Sequence, residues 1–172
     1  IDTSGVYMYI IAGSDNCPGD TAWLTVNLLN GSNISITSSP TSCDGDSPLT
    51  LTASPSGGTF SGTNVIGNLF TPDFSVLGNN IIQYVYQANG CSDTAIQTLT
   101  VFESPTVTPS NITITNPLCF GEATGSAIII PSGGTPDASG NYSLNWFGMD
   151  PLALPAGFFN YEITDINGCV FL

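Results

Sequence analysis

The spacing of the cysteines is the feature of this chain that points most directly to chemistry. Five cysteines lie at positions 17, 43, 91, 119 and 169 of the 172 residues. The first regular interval is 91 − 43 = 48 residues, and it predicts a disulfide between Cys43 and Cys91. The second is 169 − 119 = 50 residues, and it predicts a disulfide between Cys119 and Cys169. Cys17 is left over, so we expect its partner to lie outside the chain, before residue 1.

Catalytic chemistry is poorly supplied by the side chains present. The chain has 13 Asp and Glu residues but no Lys, Arg or His, so histidine bases, Schiff-base lysines and arginine clamps are missing. A pair of carboxylates could still act together, as in glycosidases, but the acids are scattered and lie mostly in turn sequences. The sequence therefore predicts that the protein is not an enzyme. The lack of His and of any Cys-x-x-Cys pair also disfavours a zinc site.

Calcium is the one metal for which the sequence offers weak candidates. Asp44 and Asp46 could supply carboxylate oxygens from a turn, and calcium prefers such ligands. The pair Asp15 and Asp20 is a similar candidate. The alternative, which we favour, is that an Asp in a turn accepts hydrogen bonds from its own backbone. We therefore expect no cofactor.

The formal net charge of −13 restricts the partners of this protein. Without a cation to neutralise phosphate, nucleic-acid binding is disfavoured, and so is electrostatic attraction to an anionic membrane. No run approaches the roughly 20 apolar residues of a transmembrane helix, so we expect no direct membrane insertion. Proteases that cut after Lys or Arg have no site in the chain. Together with the predicted disulfides, this favours an extracellular location.

The elements that must position the cysteines are β-hairpins that recur along the chain. The run from Ile81 to Val101 has two strand-like segments joined by an Asn-Gly turn signal, which predicts a hairpin. Similar runs extend from Gly5 to Val26 and from Phe159 to Leu172. The turn sequence at residues 55–59 also returns at residues 131–135, with the same offset of 14 from Cys43 and Cys119 to its first glycine. Recurring units of this kind indicate a repeat protein.

Three repeats follow from this pattern. Residues 1–31 read as the closing hairpin of an incomplete repeat, residues 32–104 as a complete repeat, and residues 105–172 as a repeat that lacks most of its last strand. About seven short strands per repeat with regular turns predict an all-β chain of tandem immunoglobulin-like β-sandwich repeats, stapled by disulfides. We expect either a segment of a longer array or a subunit whose open ends are completed by neighbours through strand addition.

The last repeat carries a set of motifs that covers most of residues 115–170. They are Cys119-Phe120-Gly121, Gly125-Ser126-Ala127, Ser132-Gly133-Gly134-Thr135-Pro136, Trp146 and Ile163-Thr164-Asp165-Ile166-Asn167-Gly168-Cys169. In these motifs the repeat resembles the SprB-type repeat of large Bacteroidota cell-surface adhesins. Residues 17–22 and 91–95 are similar to the immunoglobulin-like or PKD-like repeats of such proteins. The resemblance implies a secreted surface protein, exported by a type IX system, that acts in adhesion or gliding motility.

Two kinds of surface site follow as expectations. Asp20-Thr21-Ala22 and Asp93-Thr94-Ala95 resemble the sequence that Bacteroidota O-glycosylate, which makes Thr21 and Thr94 candidate glycan sites, although a Thr that simply opens a strand is the alternative. Trp23 lies opposite Ala22 and Leu24 in the strand alternation and is the candidate for a ligand surface, whereas Trp146 is expected in the core. Trp23 supports the alternative function, a carbohydrate-binding module that recognises surface glycans.

Edge strands define the expected protein partners. Proteins often protect such edges with Lys, and this chain has none. We therefore expect contacts through edge strands with neighbouring repeats of the same chain or with neighbouring subunits. A structural stalk or filament segment of a surface adhesin is the function that the sequence favours.

Overall fold

The computed structural model describes residues 5–14, 18–26, 33–88, 90–119 and 121–172. The described part is built from short strands and two 3-10 turns, at Phe74–Val76 and Pro109–Asn111, which confirms the all-β prediction. The strands up to residue 70 are β1 (Gly5–Ile11), β2 (Asp20–Val26), β3 (Ser35–Ile36), β4 (Thr41–Cys43), β5 (Leu49–Thr50), β6 (Ala53–Ser54), β7 (Thr59–Ser61), β8 (Val65–Ile66) and β9 (Leu69–Phe70). They are followed by β10 (Gly78–Ala88), β11 (Cys91–Phe102), β12 (Pro105–Thr106), β13 (Ile112–Thr115), β14 (Ser126–Ile129), β15 (Ser132–Gly133), β16 (Ser143–Asn145), β17 (Glu162–Thr164) and β18 (Val170–Phe171). No helix among these residues is long and apolar enough to cross a membrane.

The β10–β11 hairpin is the longest pairing in the described chain. Its antiparallel register runs from Gly78 opposite Val101 to Ala88 opposite Cys91. Gly90 has a φ of 80° in the turn, a conformation that glycine adopts without the cost a side chain would impose. The predicted hairpin is therefore confirmed, although Asn89 lies outside the described residues.

The main hydrophobic core lies on one face of this hairpin. β11 continues the sheet to β4 in parallel and β10 continues it to β7, which gives the strand order β4-β11-β10-β7. Along β10 the side chains of residues 80, 82 and 84 are buried while residues 79, 81 and 83 are exposed, the alternation of a half-buried strand. The buried cluster on this face consists of Leu51, Phe70, Val76, Ile82, Leu99 and Val101. All of its members lie within residues 51–101, and they include residues from outside the four-stranded sheet.

A segment predicted as one strand is divided between two sheets. The alternation from Leu49 to Ala53 predicted a single half-buried strand. Instead, Leu49–Thr50 pairs with β9, and Ala53–Ser54 pairs with β3. Leu51, between the two, is 2% exposed and belongs to the core. The alternation therefore reports burial correctly, but the chain changes its strand partner within this segment.

Tyr84 connects the core to the repeated Pro-Ser-Gly-Gly turn. Its hydroxyl donates to the Pro55 carbonyl oxygen at 2.6 Å and accepts from the Gly58 backbone N–H at 2.7 Å. A Cβ at Gly58 would lie 2.3 Å from the Val85 carbonyl oxygen and 2.5 Å from Tyr84 Cζ, so only glycine fits there. The repeated glycine thus serves close packing of the turn on the tyrosine ring.

Residues 105–172 are covered less completely. Their pairings form the separate sheets β12-β15, β13-β14 and β16-β17-β18. Buried apolar side chains in this part are Ile129, Leu154, Ile163 and Cys169. The β17–β18 pairing extends over only two residue pairs, Ile163 with Phe171 and Thr164 with Val170. The predicted last hairpin is therefore present but short.

The β1–β2 hairpin is paired but not covered. Its register runs from Gly5 opposite Val26 to Ile11 opposite Asp20. The described side chains from Val6 to Ile11 and from Asp20 to Thr25 are exposed on both faces. Cys17 and the junction at residues 27–32 lie outside the described residues, so the expectation for the Cys17 partner stays a prediction. The predicted boundaries at residues 31 and 104 likewise stay predictions.

The disulfide pairing differs from the prediction. Cys43 is bonded to Cys169, with 5.6 Å between the Cα atoms, while Cys91 and Cys119 are free and exposed. The predicted Cys43–Cys91 and Cys119–Cys169 bonds are therefore wrong in this structure.

Strand geometry explains the failed pairing. Cys43 lies opposite Phe102 in the β4–β11 register. Cys91 begins β11, 102 − 91 = 11 residues away. At about 3.4 Å per residue an extended strand separates these positions by roughly 37 Å. A disulfide requires Cα atoms within about 7 Å. The spacing argument failed because Cys43 lies beside the end of β11 and Cys91 at its start.

We predict that peptide mapping of the non-reduced protein will find the Cys43–Cys169 bond. Cys91 and Cys119 should react with an alkylating reagent before reduction. Closing a loop with a sequence separation of 126 is worth about 5 kcal/mol in the chain-entropy model, so Cys169→Ser should lower the free energy of unfolding by an amount of that order. Cys91→Ser is the matched control and should change it little. A native Cys43–Cys91 peptide would contradict the structure.

We also predict that Tyr84→Phe will destabilise the protein. The substitution keeps the buried ring but leaves the Pro55 carbonyl and the Gly58 N–H without their partner, at a cost of about 1–3 kcal/mol. Tyr86→Phe, on the same strand and half-buried, is the control and should cost less than about 0.5 kcal/mol. Urea unfolding followed by intrinsic fluorescence measures both. Equal effects of the two substitutions would show that the hydroxyl contacts do not matter.

Candidate functional site

The Cys43–Cys169 bond is part of a junction between the two larger parts of the chain. Asp44 follows Cys43, and its Oδ1 accepts from the Ser104 backbone N–H at 2.6 Å. Ser104 Oγ donates to the Asp44 carbonyl oxygen at 3.0 Å. Pro105, the next residue, is fully buried and begins β12, which pairs with β15. The segment that connects the predicted second and third repeats is thus held at both ends by hydrogen bonds.

Asp165 holds the other side of the junction. Its Oδ1 accepts from the backbone N–H groups of Asn167 and Cys169, each at 2.9 Å. Its Oδ2 accepts from the Thr135 backbone N–H at 2.9 Å. The side chain is 6% exposed, and a buried carboxylate needs such donors when no cation is present. Asp165 therefore fixes the turn that presents Cys169 to Cys43.

The weak calcium candidates have backbone roles. Asp46 Oδ2 accepts from the Cys43 backbone N–H at 2.8 Å and from Ser42 Oγ at 2.9 Å. Asp44 Oδ1 accepts from Ser104 as described above. These contacts fit the favoured alternative, in which turn carboxylates satisfy nearby N–H groups. Within the described ranges, no group of three or more His, Cys, Asp or Glu side chains is arranged to hold a metal ion.

The two glycan candidates occupy equivalent positions. Thr21 and Thr94 are both exposed, and each backbone N–H donates to the preceding Asp side chain, at 2.7 Å in the first case and 2.8 Å in the second. Both residues lie near the start of the second strand of a hairpin. An attached sugar would therefore meet no steric obstacle at either hydroxyl, and the glycosylation hypothesis stays open.

The two tryptophans differ in their surroundings. Trp23 is 67% exposed, but Leu24 on the opposite face is also 59% exposed, so exposure alone does not single out Trp23 as a ligand surface. Trp146 follows β16 and is half-buried, with its ring centroid 5.6 Å from that of Tyr161. It lines a groove rather than the main core, so the expectation of a core position is met only in part.

This apolar groove is the largest cavity described in residues 105–172, with a volume of about 530 Å³. Ile112, Ile129 and Trp146 line it between two walls. The first wall is residues 115–119, and the second is residues 154–159 with Tyr161. No Asp or Glu lines the groove, although the chain carries 13 acids. We call this feature the apolar groove below.

One carboxylate outside these features has a shifted pKa. The Ser75 hydroxyl and then the Ser75 backbone N–H, with a smaller contribution from Asn64, hold the pKa of Asp73 below its ordinary value of 3.8, although burial opposes the shift. Asp73 thereby caps the short 3-10 turn Phe74–Val76. Because the folded-state pKa is depressed, this contribution to stability is present above pH 3.8 and is lost as the pH falls through the lower folded-state value.

Sequence reasoning missed Asp165 and the apolar groove. The run Thr164-Asp165-Ile166-Asn167-Gly168 carried a signal, since an Asp two residues before Asn-Gly is typical of a side chain that bonds its own turn. The apolar run at residues 152–159 was the signal for the second wall of the groove. Comparisons with protein-family models, with curated proteins and with solved structures gave no match to this chain.

We predict that Asp44 stabilises the junction through its acceptor oxygen. Asp44→Ala should lower the free energy of unfolding by about 1–3 kcal/mol, because the partly buried Ser104 N–H loses its partner. Asp44→Asn keeps an oxygen acceptor at the same position and should cost clearly less. Thermal unfolding by circular dichroism compares the two variants. Equal losses would mean that the charge of Asp44, rather than its hydrogen bond to Ser104, is what stabilises the protein.

Proposed function

We propose that this chain is a structural stalk or filament segment of a secreted bacterial cell-surface adhesin, acting in adhesion or gliding without catalysis. The resemblance of residues 115–170 to SprB-type repeats supplies the biological setting, including export by a type IX system and an extracellular location at the cell surface. The all-β composition and the disulfide suit such a setting, since disulfides persist outside the cytoplasm.

The observation that carries the proposal is the Cys43–Cys169 bond. It joins residues that are 126 positions apart and closes almost the whole described part after residue 43 into one covalent loop. A pulling force applied at the two ends of the chain would pass through the disulfide and bypass the residues between its cysteines. A stalk needs this property, because unfolding inside the loop cannot lengthen it.

The hydrogen bonds around the disulfide support the same role. Asp44 binds the connecting segment at Ser104, and Asp165 fixes the turn that bears Cys169. Neighbouring parts of the chain are therefore held by several bonds in addition to the covalent one. The lack of Lys and Arg adds resistance to proteases of trypsin specificity in an exposed position.

Carbohydrate binding has weaker support. Its candidate Trp23 lies on a hairpin whose described side chains are exposed throughout, from Val6 onward. No feature of that surface distinguishes a sugar platform from an apolar strand face that packs against a neighbour. Edge-strand contact with neighbouring repeats or subunits is the partner type that we propose instead.

Single-molecule force spectroscopy tests the stalk proposal. In the oxidised protein pulled from its two termini, the loop should stay hidden. Addition of a reductant should lengthen the extended chain by about 126 × 3.5 Å, or roughly 440 Å. Cys169→Ser should show this extra length without reductant, whereas Cys91→Ser should behave as the unmodified chain does. Full extension of the oxidised protein would contradict the proposed mechanical role.

A further inference from the structure

The apolar groove lies where a β-strand lies in the preceding part of the chain. In residues 33–104, β11 is flanked by β10 on one side and by β4, in parallel, on the other. Cys119 repeats Cys43 in sequence, since both begin a Cys-x-Gly-acid turn. β17 and β18 repeat the hairpin formed by β10 and β11. The segments that correspond to the two neighbours of β11 are the two walls of the groove.

Both walls have unoccupied strand edges within the residues that the structure describes. Residues 116–119 and 155–161 belong to no strand, although their counterparts in the preceding part pair with β11. The antiparallel ladder of β17 with β18 begins at Thr164 and Ile163 and is not continued toward Phe158. Continued in the same register, a further strand would run along residues 162 to 158, beside the groove. The groove is thus continuous with an existing strand pairing.

The chemistry of the groove selects for an uncharged strand. Its lining contains no charged side chain, and the chain has no cation with which to pair a buried acid. A charged side chain placed in this groove would lose its hydration without compensation. The residues of β11 that fill the equivalent place, Ala95 to Phe102, are all uncharged and alternate apolar with polar residues.

We propose that the apolar groove accepts a single uncharged β-strand from another polypeptide, antiparallel to residues 158–162 and parallel to residues 117–119. Backbone hydrogen bonds to the two walls would supply affinity, and alternate apolar side chains would pack on Ile112, Ile129 and Trp146, as in other strand additions. This inference rests on the proposed stalk function for its setting, because strand donation would link one unit of a filament to the next. Its geometry rests on the groove alone.

Register-specific crosslinking to Cys119 tests the proposal. In the preceding part of the chain Phe102 lies opposite Cys43, so a bound strand should place its Phe102 position opposite Cys119. The probe is a capped peptide with the sequence of Ala95 to Phe102 carrying Phe102→Cys, its sulfur activated as a mixed disulfide with thionitrobenzoate. Attack by the Cys119 thiolate forms the new disulfide and releases the thionitrobenzoate anion, whose absorbance reports the rate. The full-length chain is used with Cys17→Ser and Cys91→Ser, so that Cys119 is the reactive thiol.

The expected result is a rate roughly tenfold or more above that of the same peptide carrying Ala95→Cys with Phe102 retained, because binding raises the effective concentration of only the aligned thiol. The misaligned sulfur would lie about 24 Å away along the strand. Leu99→Pro in the aligned peptide removes a backbone donor and should abolish the advantage.

Matched protein variants place the effect in the groove. Leu118→Asp puts a charge on the first wall at an exposed residue and should remove the rate advantage, whereas Ile66→Asp, equally exposed on β8, should leave it unchanged. Equal rates for the aligned and misaligned peptides, or no effect of Leu118→Asp, would overturn the proposal. So would a groove that takes up only a small apolar dye. These outcomes do not involve the Cys43–Cys169 bond, so they are separate from failure of the force experiment.

Discussion

The disulfide between Cys43 and Cys169 depends on two carboxylates that fix the backbone on either side of it. Asp44 binds the segment at Ser104, and Asp165 gathers the backbone N–H groups of Thr135, Asn167 and Cys169. In a chain without Lys, Arg or His these acids have only N–H and O–H groups as side-chain or backbone partners. The acidic composition therefore places part of its charge in turn and junction contacts, where it orders the backbone around the covalent bond.

The two sides of this junction differ in how fully their sheets are covered. On the first side, β10 and β11 present Ile82, Leu99 and Val101 to a closed core. On the second, β17 and β18 pair over two positions, and an apolar groove remains beside them. Burial of apolar surface is the main stabilising contribution in such small units. The covalent link thus connects a well-covered part to one whose apolar surface is available to a further strand.

The same contrast bears on assembly. Exposed apolar strands attract further strands, and proteins commonly protect them with lysine, which this chain lacks. The β1–β2 hairpin and the apolar groove are two such surfaces in one chain. A structural role built on contacts between successive units is consistent with both. The high negative charge would limit unspecific association between copies at low ionic strength, which leaves directed strand pairing as the favoured contact.

The amino-acid sequence by itself determined the all-β composition, the three recurring hairpins and the residues that turn the chain, because these depend on local periodicity and on glycine-rich turns. It also determined the scarcity of catalytic and metal-binding side chains. Only the tertiary structure decided which cysteines meet. The interval of 48 residues counts positions along the chain, whereas a strand pairing places Cys43 beside Phe102, far from Cys91 at the other end of β11. The groove beside Trp146 was likewise beyond sequence reasoning, since it arises from strand neighbours that only the folded chain brings together or leaves apart.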